Sequence, residues 1–205
     1  MKILAFDASG PTASAALLEG ERLVAASYAD CGLKHSVTLL PMAEELLSRA
    51  GWTVAGLDLL AVTHGPGSFT GLRIAVSTVK GLALVNNTPC VGVSSLEAAA
   101  WGCADRDGLV CALMDARRGE FYTATFEIAN GRPRRLTEDR ALAGDVIEAE
   151  LAAYGQSVIK INDGKAPVNL AYGAALAARE KTQVTADALV PVYLRISQAE
   201  RMIGG

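Results

Sequence analysis

Asp7 and Asp115 are the pair whose type and placing could do chemistry. Lys2 to Asp7 is an apolar run that ends in Asp7-Ala8, and Leu109 to Met114 is another that ends in Asp115-Ala116. Carboxylates at equivalent strand ends would flank a cleft and could hold magnesium for phosphoryl transfer. Ser9-Gly10-Pro11-Thr12 could accept a phosphate through backbone amides, although Pro11 removes one donor. A phosphotransferase of this kind also needs glycine-rich turns in its second half. The chain's only Gly-Gly pair is Gly204-Gly205. Asp7, Ser9 and Asp115 thus make an incomplete nucleotide or phosphate cleft, set against the plainer reading that both aspartates cap turns.

The second concentration of chemistry is His64-Gly-Pro-Gly-Ser-Phe-Thr-Gly-Leu-Arg73. Gly65, Gly67 and Gly71 have one residue too many for a dinucleotide fingerprint, and no Gly-Lys-Ser/Thr follows as a P-loop requires. Pro66 and Thr70 stand where a nucleophile elbow would place the glycines around Ser68. Ser68 is therefore read as a helix cap, and the glycines as the means for the turn to pass close to another backbone. Anion binding at the helix amides is the alternative. The cysteines (Cys31, Cys90, Cys103, Cys111) show no Cys-x-x-Cys spacing and read as reduced and structural.

The elements that must position these residues follow from hydrophobic patterning. Strands are predicted over Lys2 to Asp7, Thr12 to Leu18 and Arg22 to Tyr28. A helix spans Leu33 to Ala50, with Pro41 expected to kink it or mark an early turn. A strand over Leu57 to Thr63, a long helix over Phe69 to Val85, a strand over Pro89 to Val93 and a helix over Leu96 to Cys103 complete a first unit. A second unit then starts again: Leu109 to Met114 and Phe121 to Ile128 repeat the first two strands, and Asn130-Gly131-Arg132 repeats Gly20-Glu21-Arg22. The offset is 108 residues at the aspartates and 110 at the arginines. An internal duplication of this kind implies two stacked halves with a cleft between them. Beyond Asp139 the second unit turns helical, over Val146 to Tyr154 and Leu170 to Arg179, with few strands, so it reads as reduced. The division is placed at 1–104 and 105–205, with the last segment packing back on the first unit.

The run from His64 to Ala83 resembles the TsaB family, a subunit of bacterial tRNA threonylcarbamoyladenosine synthesis. Ile3-Leu-Ala-Phe-Asp-Ala-Ser9, His35-Ser-Val-Thr-Leu-Leu-Pro41 and Pro191-Val-Tyr-Leu-Arg195 agree with it. The resemblance implies an α/β, actin-like or ribonuclease-H-like two-lobed fold of the ASKHA superfamily with a reduced second lobe. It also implies a non-catalytic scaffold that binds and stabilises the paralogue TsaD. TsaD transfers threonylcarbamoyl to the adenosine beside the anticodon. A further ATPase partner, TsaE, a homodimer when the chain is alone, and only indirect contact with tRNA through the complex are implied as well. In TsaD a His-x-x-x-His pair holds the metal. Here His35 has Leu39 at that place and His64 stands alone, so no metal, cofactor or catalytic residue is assigned to this chain. An ATP- and magnesium-dependent phosphotransferase using Asp7 and Asp115 is the alternative, and a peptidase the disfavoured one.

The helix over Phe69 to Val85 has charge only at Arg73 and Lys80, seven residues apart on one face. A helix apolar nearly all round must be covered on nearly all sides. Beside the helix of residues 36–49 it could build a face that closes a four-helix bundle with a partner. The expected contacts are Leu39, Leu40, Met42, Ala43, Leu46, Leu72, Arg73, Val76, Val79 and Lys80. The opposing reading is that the chain's own sheet consumes this surface. Arg117, Arg118, Arg132, Arg134, Arg135 and Arg140 make residues 117–140 locally basic, either a solvated hairpin or an edge that meets tRNA phosphates. The net charge of −3 and pI near 5.5 give no global attraction for nucleic acid. The opening is too short for a signal-peptide core, no run approaches a bilayer span, and a cytoplasmic protein is expected.

Overall fold

Residues 3–8 and 13–18 are buried at every position, which is the pattern of strands covered on both faces. The computed structural model describes residues 1–30, 32, 34–161 and 169–195. Cys31, the expected helix start at Leu33 and the Gly204-Gly205 pair lie outside them.

Strands β1 (Lys2–Asp7), β2 (Thr12–Glu19) and β3 (Arg22–Asp30) form an antiparallel meander, with Lys2 opposite Glu19 and Asp7 opposite Ser14. Helix α1 (His35–Ala50) leads to β4 (Leu59–Gly65), and α2 (Phe69–Ala83) to β5 (Cys90–Ser94). β4 lies parallel to β1 and β5 parallel to β4, giving the order β3-β2-β1-β4-β5. α1 starts two residues later than expected and runs unbroken through Pro41; its end is set by Gly51 in the left-handed region.

Helix α3 (Ser95–Trp101) then leads to a second sheet. It consists of β6 (Gly108–Asp115), β7 (Glu120–Ala129), β8 (Arg132–Arg135), β9 (Arg140–Ala143) and β10 (Val158–Ile161). β10 is parallel to β6; β7 is antiparallel to β6, and both β8 and β9 pair with β7, at its two ends. β6, β7, the interrupted β8/β9 strand and β10 therefore repeat β1, β2, β3 and β4. This is the ribonuclease-H-like sheet built twice, the actin-like arrangement, with the second copy the smaller. β8, β9 and β10 are strands the patterning did not predict.

Helices fill three layers around the two sheets. α1 and α2 cover one face of the first sheet, where Leu39, Met42, Leu46, Val76 and Val79 meet Leu4, Phe6, Leu17, Leu60 and Val62. α3 and α5 (Leu170–Ala178) lie between the sheets in a core shared by Ile3, Ala5 and Leu59 from one and Val110, Phe126 and Ile128 from the other. α4 (Gly144–Ala152) covers the outer face of the second sheet, Ile147 and Leu151 against Cys111 and Leu113. The middle layer is thin because α5 is mostly alanine. A Cβ on Gly173 would lie 1.8 Å from the Ala98 carbonyl oxygen, so the α3–α5 crossing requires glycine there. Residues 184–195 then return along the first sheet: Cys90 and Val184 bridge, Leu189 is buried, and the Val192 amide donates to the His64 carbonyl at 2.7 Å. No described helix is long and apolar enough to cross a membrane.

Candidate functional site

Asp7 stands at the end of β1, and its side chain is sealed from solvent. One carboxylate oxygen accepts from the Ser9 amide at 3.1 Å, the Ser9 hydroxyl at 2.6 Å and the Thr63 hydroxyl at 2.5 Å. Burial pushes its pKa up, and these hydrogen bonds oppose the shift. Asp115, at the end of β6, is exposed and accepts from the Arg117 amide at 2.6 Å. The expected carboxylate pair is thus split by environment. Asp7 and Ser9 tie together the β1–β2 turn and β4, while Asp115 caps its own turn. Both aspartates accept from groups of their own turns, and Asp7 also from Thr63. The duplication preserved the aspartates' register but not their surroundings.

The glycine turn is lodged between two other backbones. A Cβ on Gly71 would lie 1.9 Å from the Ala8 carbonyl oxygen, and one on Gly67 2.4 Å from that of Ser9. On its other side a Cβ on Gly65 would lie 2.0 Å from the Val192 carbonyl oxygen. The Ser68 amide donates to the Ser9 carbonyl at 2.7 Å, and the Ser68 hydroxyl caps α2 by accepting from the Gly71 amide at 3.3 Å. The Ser68 amide thus holds the β1–β2 turn while its hydroxyl caps α2. His35 Nε2 donates to the Gly10 carbonyl at 3.0 Å, fastening the start of α1 to the same turn. His64 packs over Gly92, and burial pushes its pKa down. Among the described residues no three His, Cys, Asp or Glu side chains are grouped as a metal would need.

The helix pair presents a different face from the one its sequence suggested. Leu39, Met42, Ala43, Leu46, Val76 and Val79 are buried against the chain's own first sheet, and Leu72 is buried as well. Leu40 and Arg73 point outward, and Lys80 is half-buried, with its ammonium 3.3 Å from the Asp187 carbonyl. A residue set repeating at three and four positions along α1 satisfies the sheet, so the outward row falls on Val37, Leu40 and Pro41 instead. On α2 it falls on Arg73, Ser77 and Gly81, with Leu84 just past the helix. Val37 is 69% exposed, Leu84 73% and Val85 60%, which leaves apolar side chains in water at the start of α1 and past the end of α2. Sequence reasoning named Leu40 and Arg73 but missed Val37, Leu84 and Val85. Their signal was that Leu39, Met42, Ala43 and Leu46 already complete one helical face.

The basic hairpin region also divides. Arg134 pairs with Glu127 at 2.5 Å, Arg135 with Asp139 at 2.5 Å and Arg140 with Glu150 at 2.7 Å. Arg132 pairs with Glu180 at 3.2 Å. Arg117 and Arg118 are exposed on the β6–β7 turn.

Comparison with known proteins agrees with this geometry. A family model described as TsaD, tRNA N6-adenosine threonylcarbamoyltransferase, matches residues 29–148. The chain is 31% identical over 225 residues to the tRNA threonylcarbamoyladenosine biosynthesis protein TsaB of Bacillus subtilis (strain 168), covering 98% of this chain and 96% of that protein. It is 31% identical over 231 residues to the TsaB of Escherichia coli (strain K12), covering 100% and 99%. The structure of YeaZ from Pseudomonas aeruginosa superposes with a TM-score of 0.78 at 29% identity, covering 94% of this chain and 99% of that one. With its doubled ribonuclease-H-like sheet and similarity along its whole length, the chain belongs to the TsaB family of tRNA threonylcarbamoyladenosine biosynthesis proteins.

Proposed function

We propose that this chain is a non-catalytic scaffold subunit that binds and stabilises TsaD during threonylcarbamoyl transfer to the adenosine next to the tRNA anticodon. The observation that carries the reading is the outward side of α1 and α2, where Val37 and Leu40 on α1 and Leu84 and Val85 just past α2 are exposed and Ser77 and Gly81 also face outward. Small residues on an outward helix face let a second helix pair approach closely, and the exposed apolar side chains supply the burial. The partners of Asp7 and Asp115 support the absence of catalysis: three internal donors converge on one oxygen of Asp7, and Asp115 accepts from its own turn. In the cytoplasm the same face would close a homodimer when TsaD is absent, and TsaE would join the TsaB–TsaD pair. The lobes divide at residue 104, and the first carries the docking helices.

The test is complex mass by light scattering after mixing the chain with its organism's TsaD. Leu40→Arg with Leu84→Arg is the informative variant, because both side chains are exposed and the fold does not need them. Charges at Val76 or Val79 would instead enter the core and unfold the chain. A one-to-one pair lost in the Leu40→Arg/Leu84→Arg variant supports the reading. A pair indifferent to it places the interface elsewhere.

A further inference from the structure

The turn joining β6 to β7 holds three successive residues in the left-handed region: Arg117 at φ +64°, Arg118 at +61° and Gly119 at +77°. Glycine and asparagine adopt this conformation readily; a long side chain does so at a cost. The sequence nonetheless places arginine at two of the three positions. Both are exposed, and among the described residues neither guanidinium has an ion-pair partner, whereas the four arginines of residues 132–140 are each paired with a carboxylate. The turn itself is braced from outside. Arg195 donates to the Ala116 carbonyl at 3.0 Å and pairs with Glu120. Two residues before Arg195, the ring of Tyr193, 41% exposed, stacks on Phe69 with centroids 4.6 Å apart. Two exposed arginines, with no ion-pair partner among the described residues, therefore sit on a pinned turn, and the segment that pins it carries an exposed aromatic stack two residues earlier.

We infer that Arg117 and Arg118 are a direct contact of this chain with RNA phosphates, so that the subunit itself helps hold the tRNA. The inference rests on the reading above that the chain works in a complex acting on tRNA. Guanidinium forks match phosphate oxygens two at a time, and the exposed Tyr193 on the segment that braces the turn suits a nucleobase. An acidic protein surface would account for the charge but gives the exposed ring on that segment no role. Holding the two arginines in a fixed, strained turn also lowers what they lose in freedom on binding.

The pair of variants that tests this exploits the strain. In Arg117→Asn/Arg118→Asn the turn gains residues suited to its backbone, so the melting temperature stays level or rises by about 2–4 °C. The assembled TsaB–TsaD pair is titrated with an unmodified tRNA transcript at several salt concentrations, after its mass has been checked. The expected result is an intact pair whose affinity falls on the order of tenfold. Its log K against log salt slope becomes shallower by roughly 1.4–1.8, the value for two lost phosphate contacts. Arg117→Lys/Arg118→Lys recovers most of the slope. An unchanged affinity and slope overturns the inference, and so does loss of the pair itself, which would make the turn a protein contact. Should the unsubstituted chain form no pair with TsaD, the scaffold reading fails on its own, and the same titration of the chain alone still decides the arginines.

Discussion

Three hydrogen bonds converge on one oxygen of Asp7, two from Ser9 and one from Thr63 on the neighbouring strand. Removing that acceptor leaves three donors without a partner in a sealed site. Asp7→Ala is therefore expected to cost on the order of 3 kcal/mol in urea unfolding, and Asp7→Asn clearly less, since its carbonyl oxygen can still accept. Burial raises the pKa of Asp7 in the folded state above its ordinary 3.8. In the window between those two values the folded chain binds more protons than the unfolded one, so this group's contribution falls as pH rises through it and stays low above it. Unfolding free energies measured at pH 4 and pH 7 are expected to show Asp7→Asn gaining on the unsubstituted protein at pH 7; an equal difference at both would contradict that. The residue types at this site were legible in the sequence. Their roles were not, because Thr63 lies 56 positions away and only the β1–β4 pairing brings it to Asp7.

At the scale of elements, close backbone approach explains two glycines and its absence a third. Gly71→Ala would drive a Cβ into the Ala8 carbonyl, and Gly173→Ala into that of Ala98; each is expected to cost about 3 kcal/mol or to prevent folding, as read by circular dichroism melts. Gly81 has nothing within 4 Å of a Cβ and sits on the outward side of α2. Gly81→Ala should raise the isolated chain's stability by about 0.5–1 kcal/mol while weakening the pair with TsaD, whose helix would meet the added methyl. A stabilised chain that pairs as well as before would remove Gly81 from the interface. Buried strands such as β1 and β4 could be read from hydrophobic runs because both their faces are covered. β9 (Arg-Ala-Leu-Ala) and β10 (Val-Ile-Lys-Ile) are four residues each, too short for a period to be counted. Which side chains of α2 face outward was hard to read for a related reason: apolar residues on α2 exceed what one face needs, and the pattern alone does not say which of them the sheet takes.

At the scale of the molecule, the repeat of 108 residues is visible as two sheets of the same topology sharing one alanine-rich layer. The returning segment 184–195 ties the first sheet to the β6–β7 turn, through the His64 carbonyl and then Arg195. His64, which this segment covers, has its pKa pushed below the ordinary 6.5, chiefly by burial. The unfolded chain therefore binds more protons as pH drops below 6.5, and stability is lost down to the folded value and then levels off. His64→Asn should flatten that limb of a stability profile between pH 5 and 7, and a limb that persists unchanged would assign it to other groups. The central claim is that the chain serves transfer by docking and not by chemistry. Its most direct measurement is threonylcarbamoyl transfer to a tRNA transcript by reconstituted TsaD, TsaE and this chain, with two variants side by side. The account predicts that Asp7→Asn/Asp115→Asn supports transfer near the normal rate, while Leu40→Arg/Leu84→Arg abolishes it. The reverse pattern, transfer lost with the carboxylates while the pair stays intact, would contradict it and make this chain an enzyme.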